Sequence, residues 1–562
     1  MPERLYDRWV TSALVLYSLC VVGALLLTGV SLGRAVAPWR WPGEQPALLL
    51  NSVSLTYDDG FYYFKIAQQL ASGAGSTFDG IHPTNGYHPL WLLCLVPIFW
   101  LRSTPDTALI LGIILQGVLM TAGVVLTYQI ARLMFGRFAA SLAALLWIYV
   151  QLLYRVALSG MEYSLQAVGI LATAYIYMRW FAESPAPRLR WYLALGLLLS
   201  LTFLARLDTI LLAGCIMLAL AWREPRHGLT RAGAVRLLAL AMPVAGVGLL
   251  YMGANLWLFG NPLPVSGVVK GDWSARLLAQ DPHYQAQGWF VAKLYYLLWP
   301  LGHMNRIYML FLAAGTIGAA GGWLLGAISR RPWCGRALRA WGPFVLFSVL
   351  QLSIFVLLYH GGFSFQPWYY VVQPWLGAML AAALAATLWH WARQPGPPLV
   401  WARRLALLAL IASWCGAPLA TVRTIRQWQN SAGLNFAHEP IYAAALWVGV
   451  NVPADAIVGS WNAGMISYLS GRQVVNLDGL VNSWDFYRVK QHDLCDYWRE
   501  ARITYLVDVF ESGRELAFIK DYYAPSTDLT PCAAQLDRIW IGPAYPNTAR
   551  HAEAYHIRQP GE

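Results

Sequence analysis

TYDDGFYYFKIAQQLASGAGSTFDGIHPTNGYHPLW, residues 56–91, decides how this chain is read. It opens on two adjacent carboxylates, Asp58 and Asp59, and scatters charges, amides and glycines along its length, so it does not lie in hydrocarbon. The apolar run before it, Thr11 to Leu32, is long enough to cross a bilayer. That run follows MPERLYDRW and lacks a small-residue cleavage site, so it reads as a retained first span with Arg4 and Arg8 on the cytoplasmic side. Residues 33–107 are then an outer loop. Asp is a favoured N-cap for the amphipathic helix DDGFYYFKIAQQLA, yet a cap accounts for one Asp and leaves the second for chemistry.

Composition sets the class. With 58% apolar residues, 12% charged residues and 28 Trp in 562 residues, the chain reads as a polytopic α-helical membrane protein. The net charge of +12 does not argue for nucleic acid, because the arginines sit in short links between apolar runs. All five lysines (Lys65, Lys270, Lys293, Lys490, Lys520) fall outside the cytoplasm in the topology below, so arginine carries the orientation signal. Seven cysteines without CxxC or Cys/His spacing argue against a structural zinc site and a redox motif.

Pro89 to Leu101 is apolar for only about a dozen residues, too short to cross, and is expected at the interface. Ala108–Ile130 goes in, Ala139–Leu158 returns, Glu162 emerges on the side of the Asp pair, and Leu165–Phe181 leads to Arg188 and Arg190. Trp191 to Trp222 has basic flanks at both ends and Arg206 and Asp208 in its middle. It is expected to be two short helices in a hairpin with Arg206-Leu207-Asp208 at its tip, the alternative being one tilted helix with a buried ion pair. Leu237–Phe259, Ile307–Ile328, Pro343–Tyr359, Tyr370–Trp391 and Leu405–Val422 complete about eleven transmembrane helices, the N-terminus inside and the C-terminus outside. An amphipathic piece near Trp289–Leu301 precedes the eighth.

Residues 1–426 thus form the membrane domain, and 427–562 a soluble α/β domain on the outer side. Ala456–Ser460, Gln473–Asn476 and Ile503–Asp508 read as strands, with helices near Ile441–Val450, Gly464–Ser470 and Gly513–Lys520. Cys495 and Cys532 would sit in an oxidising compartment, where a disulfide is open to them. No internal repeat is visible, which weakens an inverted-repeat transporter reading.

An acidic pair after the first span, DDGFYYFKIAQQLA, a short interfacial segment after Pro89, and SGMEYSL after the third span together resemble the GT-C superfamily of polyprenyl-phosphate-sugar-dependent glycosyltransferases. ARLDTILL, FGNPLPVSGVVK and QPWYY extend the likeness, and SWNAGMISYLSGRQVVNLDGLVN is similar to a strand–helix–strand unit of several bacterial members. No WWDxG-type motif of an oligosaccharyltransferase is present. The resemblance implies a GT-C-like membrane domain in a bacterial inner membrane, with a periplasmic C-terminal domain. It also implies a polyprenyl-phosphate sugar as donor and a glycan, lipid or protein as acceptor, with no nucleic acid among the partners.

Such chemistry needs a base for the acceptor hydroxyl and a cation for the departing phosphate. By the family motif, Asp58 is the candidate base. Asp59 orients it, binds sugar or holds a divalent ion, although no metal or other cofactor is expected. Glu162 is the third catalytic candidate. Arg206, with Asp208 beside it, and Lys270 are candidates for the phosphate. His82, Asn85, Tyr87 and His88 are candidates for sugar contact. Trp368 and Tyr369 suit stacking on a sugar, and an interfacial aromatic belt explains them equally well. A transporter or flippase for lipid-linked saccharides, or a non-catalytic binder of them, is the competing class. It gives no reason for an outer carboxylate pair.

Overall fold

The computed structural model describes residues 3–28, 47–101, 103–182, 187–222, 230–298, 300–329, 332–360, 364–393, 400–430, 438–488, 493–511, 532, 534–544 and 550–558. The expected helix at Gly513–Lys520 lies outside them. Six helices among these residues are long and apolar enough to cross a bilayer: Asp7–Leu27, Pro105–Phe135, Arg231–Phe259, Arg306–Ile328, Leu338–Leu358 and Val372–Trp391. The remaining expected spans fall on helices that are shorter or more charged.

The first helix, α1 (Glu3–Thr28), leads through α2 (Ala47–Leu55) to α3 (Asp58–Ala71), which starts at the Asp pair. Helix α4 (Pro89–Trp100) is the short apolar segment, 12 residues long with Pro at its start. Then come α5 (Pro105–Phe135), α6 (Arg137–Leu153) and α7 (Tyr163–Ile176), the last continued by a π turn to Phe181. Where one tilted helix was the alternative, the chain breaks. Helix α8 (Leu189–Ala205) ends at Arg206, whose backbone is extended (φ −159°, ψ 120°), and α9 (Ile210–Ala221) follows a 3₁₀ turn at Leu207–Thr209. The break lets the Arg206 side chain leave the helix and enter a polar site.

Helix α10 (Arg231–Phe259) is capped by Thr230 and leads to the outer segment α11 (Val265–Gln280), α12 (Pro282–Gln287) and α13 (Trp289–Leu298). Helix α14 (Arg306–Ala313) runs on through a π turn to Ser329, and α15 (Pro332–Leu358), α16 (Val372–Arg393) and α17 (Val400–Asn430) close the bundle.

Beyond α18 (His438–Asn451) lies a five-stranded sheet of order β2-β1-β3-β5-β4. Strands β1 (Ile457–Ser460), β2 (Gln473–Asn476) and β3 (Ile503–Glu511) are parallel. β4 (Leu536–Ala544) and β5 (Arg550–Ile557), an antiparallel pair absent from the expectation, extend the sheet beside β3. Helix α19 (Ala463–Ser470) joins β1 to β2, and α20 (Leu494–Glu500) precedes β3. Cys495 on α20 is bonded to Cys532, with Cα atoms 5.6 Å apart.

One apolar cluster runs without interruption from the outer loop into this sheet domain. Phe61 and Phe64 of α3, Trp91 and Leu95 of α4, and Val265 and Val269 of α11 share it with Ala444, Met465, Ile466 and Val474. Phe61 and Phe64 are fully out of water, each contributing about 1.5–3 kcal/mol of burial free energy. The other side of the sheet has its own core around Trp461, Val475, Trp498 and Leu506.

Candidate functional site

Successive residues of an α-helix point about 100° apart, so Asp58 and Asp59 at the start of α3 diverge. Asp59 shares a face with Tyr62 and Tyr63, three and four residues on, and all three line a cleft of ≈ 470 Å³ that opens to solvent. Asp58, the candidate base from sequence, does not line it. Its carboxylate instead accepts backbone N–H groups from Gly464 (3.3 Å) and Met465 (2.8 Å) at the start of α19. Asp58 caps a helix, but not its own, for α3 has no side-chain cap.

The rest of the cleft is lined by Gly86, Tyr87, His88, Met161, Glu162, Arg206, Ser266, Lys270, Trp368, Tyr369 and Leu480. Lys270, on α11, reaches Asp59 at 3.4 Å across 211 residues of sequence. Arg206 is the fixed centre. It donates Nη1 to Glu162 Oε1 (2.5 Å) and to the Trp368 carbonyl (3.3 Å), and Nε to Asp208 Oδ1 (2.9 Å). Its guanidinium lies 4.7 Å from the Tyr369 ring centroid. Tyr63 donates its hydroxyl to the other Glu162 oxygen at 2.8 Å, and Gln351 donates to Asp208 at 2.5 Å. The glutamate at the head of α7, the hairpin tip and the QPWYY segment are thereby one network.

Burial works to raise the Glu162 carboxyl, but His88 and Arg206 outweigh it and hold it below the usual range. His88 is pushed down to about 4 by burial, against the pull of Glu162 3.7 Å away, so at neutral pH it is an uncharged contact. Burial also opposes charge on Lys270. Tyr369 and Asp59 overcome it, and the ammonium holds its proton more firmly than a free lysine.

Three sequence candidates lie elsewhere or play another part. His82 bonds Asp79 at 2.6 Å and does not line the cleft. Asn85 ties three segments together: its amide donates to Asn255 and to the Leu263 carbonyl, while its oxygen accepts from the Val265 amide and the Trp484 indole. Asp208 reaches the cleft only through Arg206. Among the residues sequence reasoning missed, Tyr62 and Tyr63 were within reach of the helical period counted from Asp59. Ser266 was likewise within reach, four residues before Lys270 on α11, whereas Leu480 was not, since only the tertiary fold brings it in. Gly86 is required by the same approach: a Cβ there would sit 1.8 Å from the Leu480 carbonyl oxygen.

A family model described as a domain of unknown function (DUF8728) matches residues 423–553. No curated protein matches the chain in sequence. Among solved structures, the oligosaccharyltransferase AglB from Archaeoglobus fulgidus aligns over 99% of this chain and 75% of its own, with a TM-score of 0.55 and 14% identity. ArnT from Cupriavidus metallidurans aligns over 98% of both chains, with a TM-score of 0.53 and 13% identity. Both are GT-C proteins, and each alignment covers nearly the whole of this chain. By its architecture, this chain has the GT-C fold.

Proposed function

We propose that the chain is an inverting glycosyltransferase that moves a sugar from a polyprenyl-phosphate donor to an acceptor hydroxyl at the outer face of a bacterial inner membrane. One observation carries this reading: a carboxylate, Asp59, and an ammonium, Lys270, 3.4 Å apart in one cleft beside the Glu162–Arg206–Asp208 network. AglB has been solved with a dolichol-phosphate, a ligand of the donor's chemical class, on the same fold.

The base role goes to Asp59, because both Asp58 oxygens already accept backbone donors. Asp59 takes the proton from the acceptor hydroxyl, whose oxygen attacks the anomeric carbon from the face opposite the phosphate. The bond from that carbon to the phosphate oxygen breaks, its electron pair stays on the phosphate, and configuration inverts. Lys270 suits the phosphate better than Arg206. An ammonium carries three donors, and the contact with Asp59 is long, so the incoming phosphate displaces it readily and frees Asp59. Arg206 is locked by two carboxylates and a carbonyl. It fixes the shape and field of the cleft.

The donor set does not suit a divalent ion. Asp59 faces Lys270, and Glu162 and Asp208 face Arg206, so each carboxylate already has a cation of the chain against it. We therefore propose transfer without a metal.

The test is direct. Purified protein is incubated with a panel of polyprenyl-phosphate hexoses and pentoses, with and without EDTA, and polyprenyl phosphate release is measured. Release with at least one donor, insensitive to EDTA, is expected. No release from any member of the panel speaks against the donor class.

A further inference from the structure

Helix α19 lacks a cap from its own segment. Asn462 at its start makes no capping bond and instead donates its side-chain amide to Asp508. The first N–H groups of a helix have no partner within it and carry the positive end of its dipole. Here Asp58, some 400 residues earlier in the chain, accepts the N–H groups of Gly464 and Met465. Only glycine fits at 464, where a Cβ would stand 2.3 Å from the Asp58 carbonyl oxygen. One turn along α3 the contact continues, with Phe61 and Phe64 ring centroids 5.7 and 5.8 Å from that of Tyr468.

A second attachment sits beside the cleft. Tyr62 donates its hydroxyl to Asp478 Oδ2 at 3.2 Å and accepts from the Asn476 side-chain amide at 3.3 Å. The other Asp478 oxygen accepts the Leu480 N–H at 2.7 Å, and Leu480 is part of the cleft wall. The face of α3 that holds the sheet domain therefore adjoins the face that carries Asp59.

We propose that Asp58 is a positioning residue that docks the C-terminal domain onto the membrane domain, and that this docking completes the cleft by bringing in the 476–483 loop. The transfer site is composite: the membrane domain supplies Arg206, Glu162 and Trp368 from the breaks and turns between its helices, and the C-terminal domain supplies Leu480. As far as it concerns turnover, the proposal rests on the transferase reading. Docking itself does not.

Hydrogen exchange of the full-length protein in detergent separates the two. In Asp58→Ala and Gly464→Ala, amides of 463–470 and 476–483 should exchange about tenfold faster, the scale of a lost helix cap, while those of α5 and α7 stay unchanged. Asp58→Asn keeps one accepting oxygen and should stay within about threefold of the parent. Polyprenyl phosphate release from the donor panel should follow the same order, with kcat falling and donor KM little moved. If the parent protein turns over no donor, the transferase reading fails while exchange still decides docking. Unchanged exchange in Asp58→Ala overturns the proposal. So does an Asp58→Asn protein with parental exchange whose turnover is lost as fully as in Asp59→Asn, since Asp58 is then the base.

Discussion

Arg206 and Glu162, 44 residues apart, meet at 2.5 Å with side chains only 6% and 1% exposed. A buried pair of this kind is a weak source of net stability, because desolvation offsets most of the attraction, but removing one partner strands the other. Arg206→Ala should therefore destabilise the protein by about 3–5 kcal/mol. Adding Glu162→Gln should recover a large part of that loss. Thermal unfolding of the single and double variants in detergent checks this, and equal midpoints for the two would count against a coupled pair.

Lys270 tests the phosphate role. Its contact with Asp59 is long, at 3.4 Å, and only partly open to water, with the two side chains 19% and 30% exposed, so Lys270→Gln should change stability by about 1 kcal/mol. Loss of a charge-assisted bond to phosphate should lower kcat/KM for the donor by about 10- to 100-fold. Kinetics at varied donor concentration decide it, with unfolding midpoints as the control.

His88 sets a pH dependence whose sign follows from burial. Its ordinary value of 6.5 falls to about 4 in the folded protein, so between these values the unfolded chain binds more protons. The stability linked to His88 is complete above about pH 6.5 and is lost as pH falls toward 4. In His88→Gln the fall in unfolding temperature over that window should be shallower than in the parent. Parallel curves would place the acid sensitivity elsewhere.

Orientation is checked by labelling single cysteines in a background without the native free thiols. Gln287→Cys and Ala454→Cys, both exposed, should react with an impermeant reagent from outside intact cells, and Thr230→Cys only after lysis. Outside labelling at 230 would invert the arginine-based topology.

Much of the fold was legible because hydrocarbon imposes strong rules. Apolar length and arginine placement marked the helices, and the charge at Arg206 and Asp208 marked the break between α8 and α9. Strands β1 to β3 were visible as short apolar runs. β4 and β5 were not, since LDRIWIGPA and RHAEAYHI mix charge into strands at and near the sheet edge. At the site, Asp59, Glu162, Arg206, Lys270, Trp368 and Tyr369 were named from sequence and lie together. Choosing between Asp58 and Asp59 was beyond a motif. That choice depends on which face of α3 the C-terminal domain covers, and the docked helix lies some 400 residues away.

The central claim is that Asp59 is the base, and the matched pair Asp59→Asn and Asp58→Asn tests it most directly. Both substitutions remove a carboxylate and keep its size. With saturating donor, Asp59→Asn should lower the rate of polyprenyl phosphate release by at least ~10²-fold, the scale of a positioned base, with its unfolding temperature little changed. Asp58→Asn should keep most of the rate. Near-normal release from Asp59→Asn, or its loss in Asp58→Asn alone, would contradict the account.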